Sequence, residues 1–445
     1  MARNSNSATC WQLFALGGIF ISGLAGCSDV PGDMPPDESP QMQTQATYYS
    51  DIQPLMERYC VSCHKTGEIA PFTLGDYEAV KGHARQITAA VQNDLMPPWL
   101  PSDDSLPLHY SRKLRPEDKK LLLDWLAAGA PEGDAKRLPR TDIPPAERAT
   151  PPRNDLTIQL GAPYRPNAAG GGDDYRCFAF DPKLDRDRFL TAGQVNPDNG
   201  SIVHHVVLYV IPPAQAAQAM ALDKGSGYTC FGGAGISGAM ASIVLAWAPG
   251  GTSMRTPDAT AFKLPKGAAF VLQMHYNMLS DNGKPDQTGV VLELSDNAPS
   301  RELLNMFIAN PKLMIKAGDA NAHQEVSVPL SYIAPRLGLP SGDLTVYGAF
   351  PHMHLLGKHI NVSVLGGPNA LDIPRWDFHW QATYMFKEPF TIKPADILHL
   401  ECDWDNSAAN QPMVNGMPQT PRDVSWGEGT LDEMCVSLLL ISSAK

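Results

Sequence analysis

Val203-His204-His205-Val206-Val207-Leu208-Tyr209-Val210-Ile211 is a short run of β-branched and aromatic residues with a histidine pair near its start. Runs of the same texture recur at Ala269 to Met278, Leu344 to Phe350, Ile360 to Leu365, Ile397 to Trp404 and Met434 to Ile441, split by Gly, Pro, Asn and Asp. Short strands with frequent turn signals predict β-sandwich or jelly-roll architecture.

Histidines fall at chosen places in these runs. His352 and His354 stand two apart in Phe350-Pro351-His352-Met353-His354-Leu355, so a strand turns both rings to one face and one ion. The tandem His204 and His205 would face opposite ways in a regular strand, so a bulge or a strand end is required there. His275 is the expected third ligand of that pair, and Met434 lies further on. Neutral imidazoles suit Cu(II) and a thioether favours Cu(I), so the set describes two centres able to change oxidation state. Singly, each strand histidine is more often a core or surface residue, and His-x-His also occurs in zinc proteins. The reading depends on the set.

Upstream, from Tyr48 to about Gly133, the pattern is helical: Leu55-Met56-x-x-Tyr59, a periodic stretch from Tyr77 to Leu95, and an amphipathic one from Pro116 to Ala128. Cys60-Val61-Ser62-Cys63-His64 is the C-x-x-C-H motif that attaches a c-type haem by two thioethers and an axial histidine. The plain alternative is a reducible Cys60–Cys63 disulfide. Met96, in Leu95-Met96-Pro97-Pro98-Trp99, is the expected distal haem ligand, with His83 and Met56 as competitors.

With 445 residues, 43% of them hydrophobic, the chain has material for about three domains. A formal charge of −12 and the lack of a Lys/Arg-dense block exclude a nucleic-acid binder. Arg3, the apolar run from Trp11 to about Gly23, and Leu24-Ala25-Gly26-Cys27 have the layout of a lipoprotein signal. Cys27 is then the lipidated first residue, and Ser28 after it points to the outer membrane of a Gram-negative cell envelope; a soluble cleaved signal or an uncleaved anchor is the alternative. The expected division is 1–27 signal, 28–45 flexible linker, 46–137 cytochrome c domain, 138–155 linker, 156–307 and 308–445 two copper domains. Cys177, Cys230, Cys402 and Cys435 remain; in an oxidising compartment they read as two disulfides, and 177 to 230 with 402 to 435 is the most local pairing.

From about Ala162 onward the chain resembles the copper type II ascorbate-dependent monooxygenases. The resemblance lies in Asp174-Tyr175-Arg176-Cys177, Ile202-Val203-His204-His205, Leu245-Ala246-Trp247-Ala248, Lys263-Leu264-Pro265-Lys266-Gly267, Val271-Leu272-Gln273-Met274-His275-Tyr276, His352-Met353-His354-Leu355-Leu356-Gly357-Lys358 and Asp432-Glu433-Met434-Cys435. It implies two jelly-roll domains with one copper each across a solvent-filled cleft. His204, His205 and His275 would hold an electron-transfer copper, and His352, His354 and Met434 the copper at which O2 is activated for C–H hydroxylation. It also fits both proposed cysteine bridges.

Two departures bear on function. Where the peptide-amidating members hold a substrate carboxylate with an arginine and a tyrosine, this chain has Phe350 and Leu438, which implies a small, apolar organic substrate. The added haem unit resembles those fused to bacterial periplasmic oxidoreductases and would deliver electrons from an ascorbate-like reductant or a periplasmic cytochrome. The rival readings are a copper-binding or electron-transfer protein without oxygenase activity, against which Met434 speaks, and a haem peroxidase or sensor, which needs an open haem face. His359, near the ligand strand, is a possible partner of a ligand; His83, His109, His323, His379 and His399 read as structural or surface residues.

Overall fold

The Val203–Ile211 run is a strand with those bounds, hydrogen-bonded between Ala269–Asn277 and Ser242–Trp247. Beyond its histidine pair it is apolar because both of its faces are covered. Val206, Leu208 and Val210 enter a core shared with Leu190, Phe262 and Leu292 of a second sheet. Tyr209 and Ile211 pack on the other side with Ala219 of the helix Pro213–Leu222 and with Cys177 and Cys230. Those two cysteines are disulfide-bonded.

The computed structural model describes residues 45–444, except 67, 69, 168–172, 231–232, 237–240, 250, 252, 279–282, 415–416 and 428–430. The expected signal, the spacer and Cys27 lie outside the described residues. The described protein is mostly β-sheet with few helices, as the sequence led us to expect. In the first sandwich a five-stranded sheet (Tyr228–Thr229, Asp173–Phe180, Ala269–Asn277, Val203–Ile211, Ser242–Trp247) faces a six-stranded sheet built around Arg188–Asn196 and Gly289–Ser295. In the second, the sheet of Leu304–Ala309, Val436–Ser443, Leu344–His352 and Tyr384–Ile392 shares a core with that of Ala322–Pro329, Ile397–Trp404, Gly357–Val364 and Asn369–Ile373. Cys402 and Cys435 bridge the two sheets of this second pair.

A third core belongs to the helical unit, where Tyr48, Ile52, Leu55, Met56, Leu122 and Trp125 are buried together. The stretch from Tyr77 to Leu95 is two helices, Tyr77–Gly82 and Ala84–Gln92, interrupted at His83. His83 leaves helical geometry while its Nδ1–H donates to the Ala79 carbonyl (2.8 Å).

Two segments without sequence periodicity pin this unit to the sandwiches. Residues 99–109 run along the second sandwich: the Ser102 N–H donates to the Asp372 carbonyl (2.9 Å), His109 N–H to Met385 (2.8 Å) and Lys387 N–H to Pro107 (2.8 Å). Trp99, Leu100, Leu106 and Leu108 pack into its core. The expected linker at 138–155 is likewise held: Arg140 N–H donates to the Ser50 carbonyl (2.8 Å), and Ile143 is buried in the helical core.

At the end of that segment Glu293 accepts from the Arg153 backbone (2.9 Å) and pairs with Arg255 (3.0 Å) and Arg153 (3.3 Å). The Arg255 bond, with Arg153 beside it, pulls the Glu293 carboxyl down to about 2 against its burial. A carboxylate with a depressed folded-state pKa contributes stability above its ordinary range and loses it as pH falls through the folded value. Glu293→Gln is therefore expected to cost roughly 2 kcal/mol at pH 7, discounted for the solvent around both arginines. It should also flatten the pH dependence of stability between about 4.3 and about 2, as read from denaturant melts.

Candidate metal centres

His205, His275 and Tyr175 form one cross-strand row, His205 opposite His275 and His275 opposite Tyr175. Alternation puts all three on the sheet face away from the shared core, the face that also carries Asp173. The pairing shifts between Val203 and His205, so His204 sits on an irregularity of the kind the tandem pair demands. The result is a convergence of three Nδ1 atoms: His204 to His275 at 3.1 Å and His275 to His205 at 3.3 Å.

Three imidazoles cannot all satisfy one another through the same nitrogens. Two nitrogens each about 2.0 Å from a shared ion lie roughly 3 Å apart, which is the spacing observed. Burial, reinforced by the neighbouring imidazoles, holds His205 and His275 well below the ordinary histidine range. Burial likewise lowers His204, to about 4. Neutral imidazole is the form a metal needs. His275 Nε2–H donates to Asp173 (2.9 Å), fixing the tautomer with its Nδ1 lone pair inward, and Tyr175 stacks on the ring at 4.1 Å. These residues fit a copper ion.

The second set lies where two adjacent strands meet their loops. His352 ends the strand Leu344–His352 and pairs with Val436, so the register carried two residues further brings His354 toward Met434. The two rings are 5.0 Å apart. His352 Nδ1–H donates to Gln381 Oε1 (2.7 Å) and His354 Nδ1–H to the Asp432 carbonyl (3.0 Å), which leaves both Nε2 atoms for one ion. Burial lowers the His352 pKa. Met434, nearly buried, is anchored by the Cys402–Cys435 bridge beside it. Two nitrogens and a thioether are again a donor set that fits copper.

Glu433 organises this second set. Its carboxylate is fully buried and accepts from the backbone N–H groups of His354 (3.0 Å), Leu356 (2.7 Å) and Met434 (3.3 Å) and from Trp404 Nε1–H (3.0 Å). Burial pushes its carboxyl up to about 7 against the pull of those donors. Glu433 stands in the Asp432-Glu433-Met434-Cys435 motif, yet its role is invisible there because its partners are up to 79 residues away. Asp173 was missed in the sequence, although alternation with Tyr175 and Cys177 puts it on their face. Gln381 carries no sequence signal.

In the helical unit Cys60 and Cys63 are free thiols, and burial pushes Cys60 up to about 12. His64 Nδ1–H donates to the Phe72 carbonyl (3.0 Å), turning Nε2 outward as an axial haem ligand requires. These residues fit a covalently held haem. Phe72 lies beside His64 and stacks on His83 at 4.0 Å, while Met96 is about one-third exposed on the loop after Ala84–Gln92. His359 does not support a ligand: it bonds Asp372 (2.8 Å) and Asp403 (3.0 Å). A further convergence, Glu325, His399 and Glu401, lies on an open sheet face where its members pair with one another and with Ser327.

Two donor sets on β-sheets thus each offer ligands that fit a copper ion. Residues 303–441 match the C-terminal domain of the copper type II ascorbate-dependent monooxygenases. The human putative DBH-like monooxygenase protein 2 is 24% identical over 251 residues, covering 54% of this chain and 47% of that protein. Bovine dopamine beta-hydroxylase is 24% identical over 209 residues, 44% of this chain and 32% of its own length. The chain thus spans about half or less of the curated relatives it matches. Among solved structures, the major capsid protein P2 of bacteriophage PM2 overlays 64% of this chain and 97% of its own at 8% identity, with a TM-score of 0.25, too low to define a fold. The sequence matches thus make this chain similar to the copper type II ascorbate-dependent monooxygenases, most directly over residues 303–441.

Proposed function

We propose that this protein hydroxylates a C–H bond of a small, apolar organic substrate with O2, using two copper ions and electrons drawn through a covalently attached c-type haem. Copper supplies the one-electron chemistry and the site of O2 activation when bound. His352, His354 and Met434 hold the ion at the reacting centre, oriented by Gln381, Asp432 and Glu433. His204, His205 and His275 hold the second ion, oriented by Asp173. Each turnover consumes O2, two electrons and two protons, and yields an alcohol and water.

The substrate class rests on one observation. Phe350 and His352 share a strand face, Leu438 lies opposite Phe350, and Phe307 lies opposite Leu438 on the next strand. Phe307 is 44% exposed. The resulting apolar row beside the candidate oxygen-activating centre offers a carboxylate no partner.

Cys60, Cys63 and His64 attach the haem in this reading, with Met96 as its other ligand. Its donor is an ascorbate-like reductant or a periplasmic cytochrome. Cys27 tethers the protein by lipid to the outer membrane of a Gram-negative envelope. Among the described residues no helix is long and apolar enough to cross a membrane.

The test is O2 uptake by copper-loaded, haem-loaded protein with ascorbate, comparing ethylbenzene with phenylacetate. Uptake stimulated by ethylbenzene at least about tenfold more than by the carboxylate is expected, since burying an unpaired charge beside Phe350 and Leu438 is costly. Preference for the carboxylate would contradict the substrate assignment.

A further inference from the structure

Between the strands Asn369–Ile373 and Tyr384–Ile392 runs a loop whose side chains touch both donor sets. Phe378, 7% exposed, has its ring centroid 6.3 Å from that of His204, nearly parallel to it, and 6.0 Å from that of His354, edge to face. One aromatic ring therefore neighbours a ligand of each candidate centre. Gln381 holds this arrangement from both ends. Its amide N–H donates to the Phe378 carbonyl (2.9 Å), and its oxygen accepts from His352 (2.7 Å). Trp376 donates its indole N–H to the His354 carbonyl (3.1 Å). His379, paired with Asp377 (3.0 Å), sits 5.7 Å from His204.

The same loop reaches the helical unit. Arg375 donates to the Asn93 carbonyl (3.2 Å) and to that of Asp94, two residues before Met96. A cavity of about 270 Å³ lies between, lined by Leu95 and Trp99 on one side and by Trp376, Phe378 and Trp380 on the other.

We infer that Phe378 is a positioning residue that couples the two copper centres, filling the space between His204 and His354 so that electrons pass through a packed ring and not across an open, water-filled cleft. This rests on the proposed two-copper reading. With copper bound, His204, His205 and His275 would hold the ion that is oxidised from copper(I) to copper(II), and His352, His354 and Met434 the ion that the same electron reduces from copper(II) to copper(I). A buried ring fixes the separation of the two ligand sets and excludes water from between them; an alanine leaves a void that water or loop movement fills.

The experiment uses the full protein loaded with copper(II), as wild type, Phe378→Ala and Phe378→Tyr. Copper content is assayed, the dipolar interaction between the two ions is read by pulsed EPR, and both Cu(II) signals are followed by freeze-quench after ascorbate is added. Wild type and Phe378→Tyr should hold two ions with one narrow distance distribution and lose both signals together. Phe378→Ala should keep both ions, show a broadened distribution, and lose the two Cu(II) signals at separate times, one centre being reduced after the other. An alanine variant with the wild-type distribution and synchronous reduction overturns the inference and leaves the two-copper reading standing. Wild-type protein that fails to bind two ions overturns both.

Discussion

Glu433→Ala is expected to destabilise the fold by about 3–5 kcal/mol and to weaken copper binding at His352, His354 and Met434 by roughly 10- to 100-fold. The carboxylate is the common acceptor for three backbone N–H groups and one indole N–H inside the second sandwich. Its removal strands those donors where no water reaches, and each unmade bond costs about 1–3 kcal/mol before relaxation. Two of the donors belong to His354 and Met434 themselves, so the ligand backbone loosens with the fold. Glu433→Gln keeps one acceptor oxygen but turns a second N–H toward groups that can only donate, so it should fall between alanine and wild type. Chemical denaturation of the metal-free protein with copper titration checks this. An alanine variant within about 1 kcal/mol of wild type would show that the network is not organised by this residue.

His275→Ala should remove one copper per chain and lower turnover by more than about 100-fold, beyond what losing a mere orienting partner costs. His275 is the fully buried ring of the first set and the one both other Nδ1 atoms approach. Its loss also deprives Asp173, whose carboxyl burial already raises, of a donor. In the proposed reading, copper bound at His352, His354 and Met434 and a haem attached at Cys60 and Cys63 should both survive. Metal analysis with haem spectroscopy separates this outcome from general unfolding, and retention of two copper ions would remove His275 from the ligand set.

Much of the β region was legible because local composition and tertiary role agree. Val203–Ile211 and Ile397–Trp404 have the bounds their composition suggests. The bulge at His204 followed from strand alternation alone, and the cysteine pairing from sequence proximity. The helical stretch from Tyr77 to Leu95 read as continuous because the break at His83 is made by a side-chain bond to the preceding turn, which leaves no trace in hydrophobic period. Residues 138–155 looked like a linker, and 99–109 like a part of the helical unit alone, because their order comes from backbone bonds to distant segments and from Arg–Glu pairs. Gln381, Phe378 and Glu433 escaped notice for the same reason. Each acts on a ligand that is distant in sequence, and only the fold brings them together.

The most direct test is to supply copper-loaded, haem-loaded protein with isotopically labelled O2, ascorbate and ethylbenzene, as wild type and as Met434→Ala. Two copper ions per wild-type chain, labelled oxygen in the alcohol for each O2 consumed, and loss of that product in Met434→Ala are the predicted results. O2 uptake that leaves no label in organic product, or that is indifferent to Met434, would contradict a copper monooxygenase.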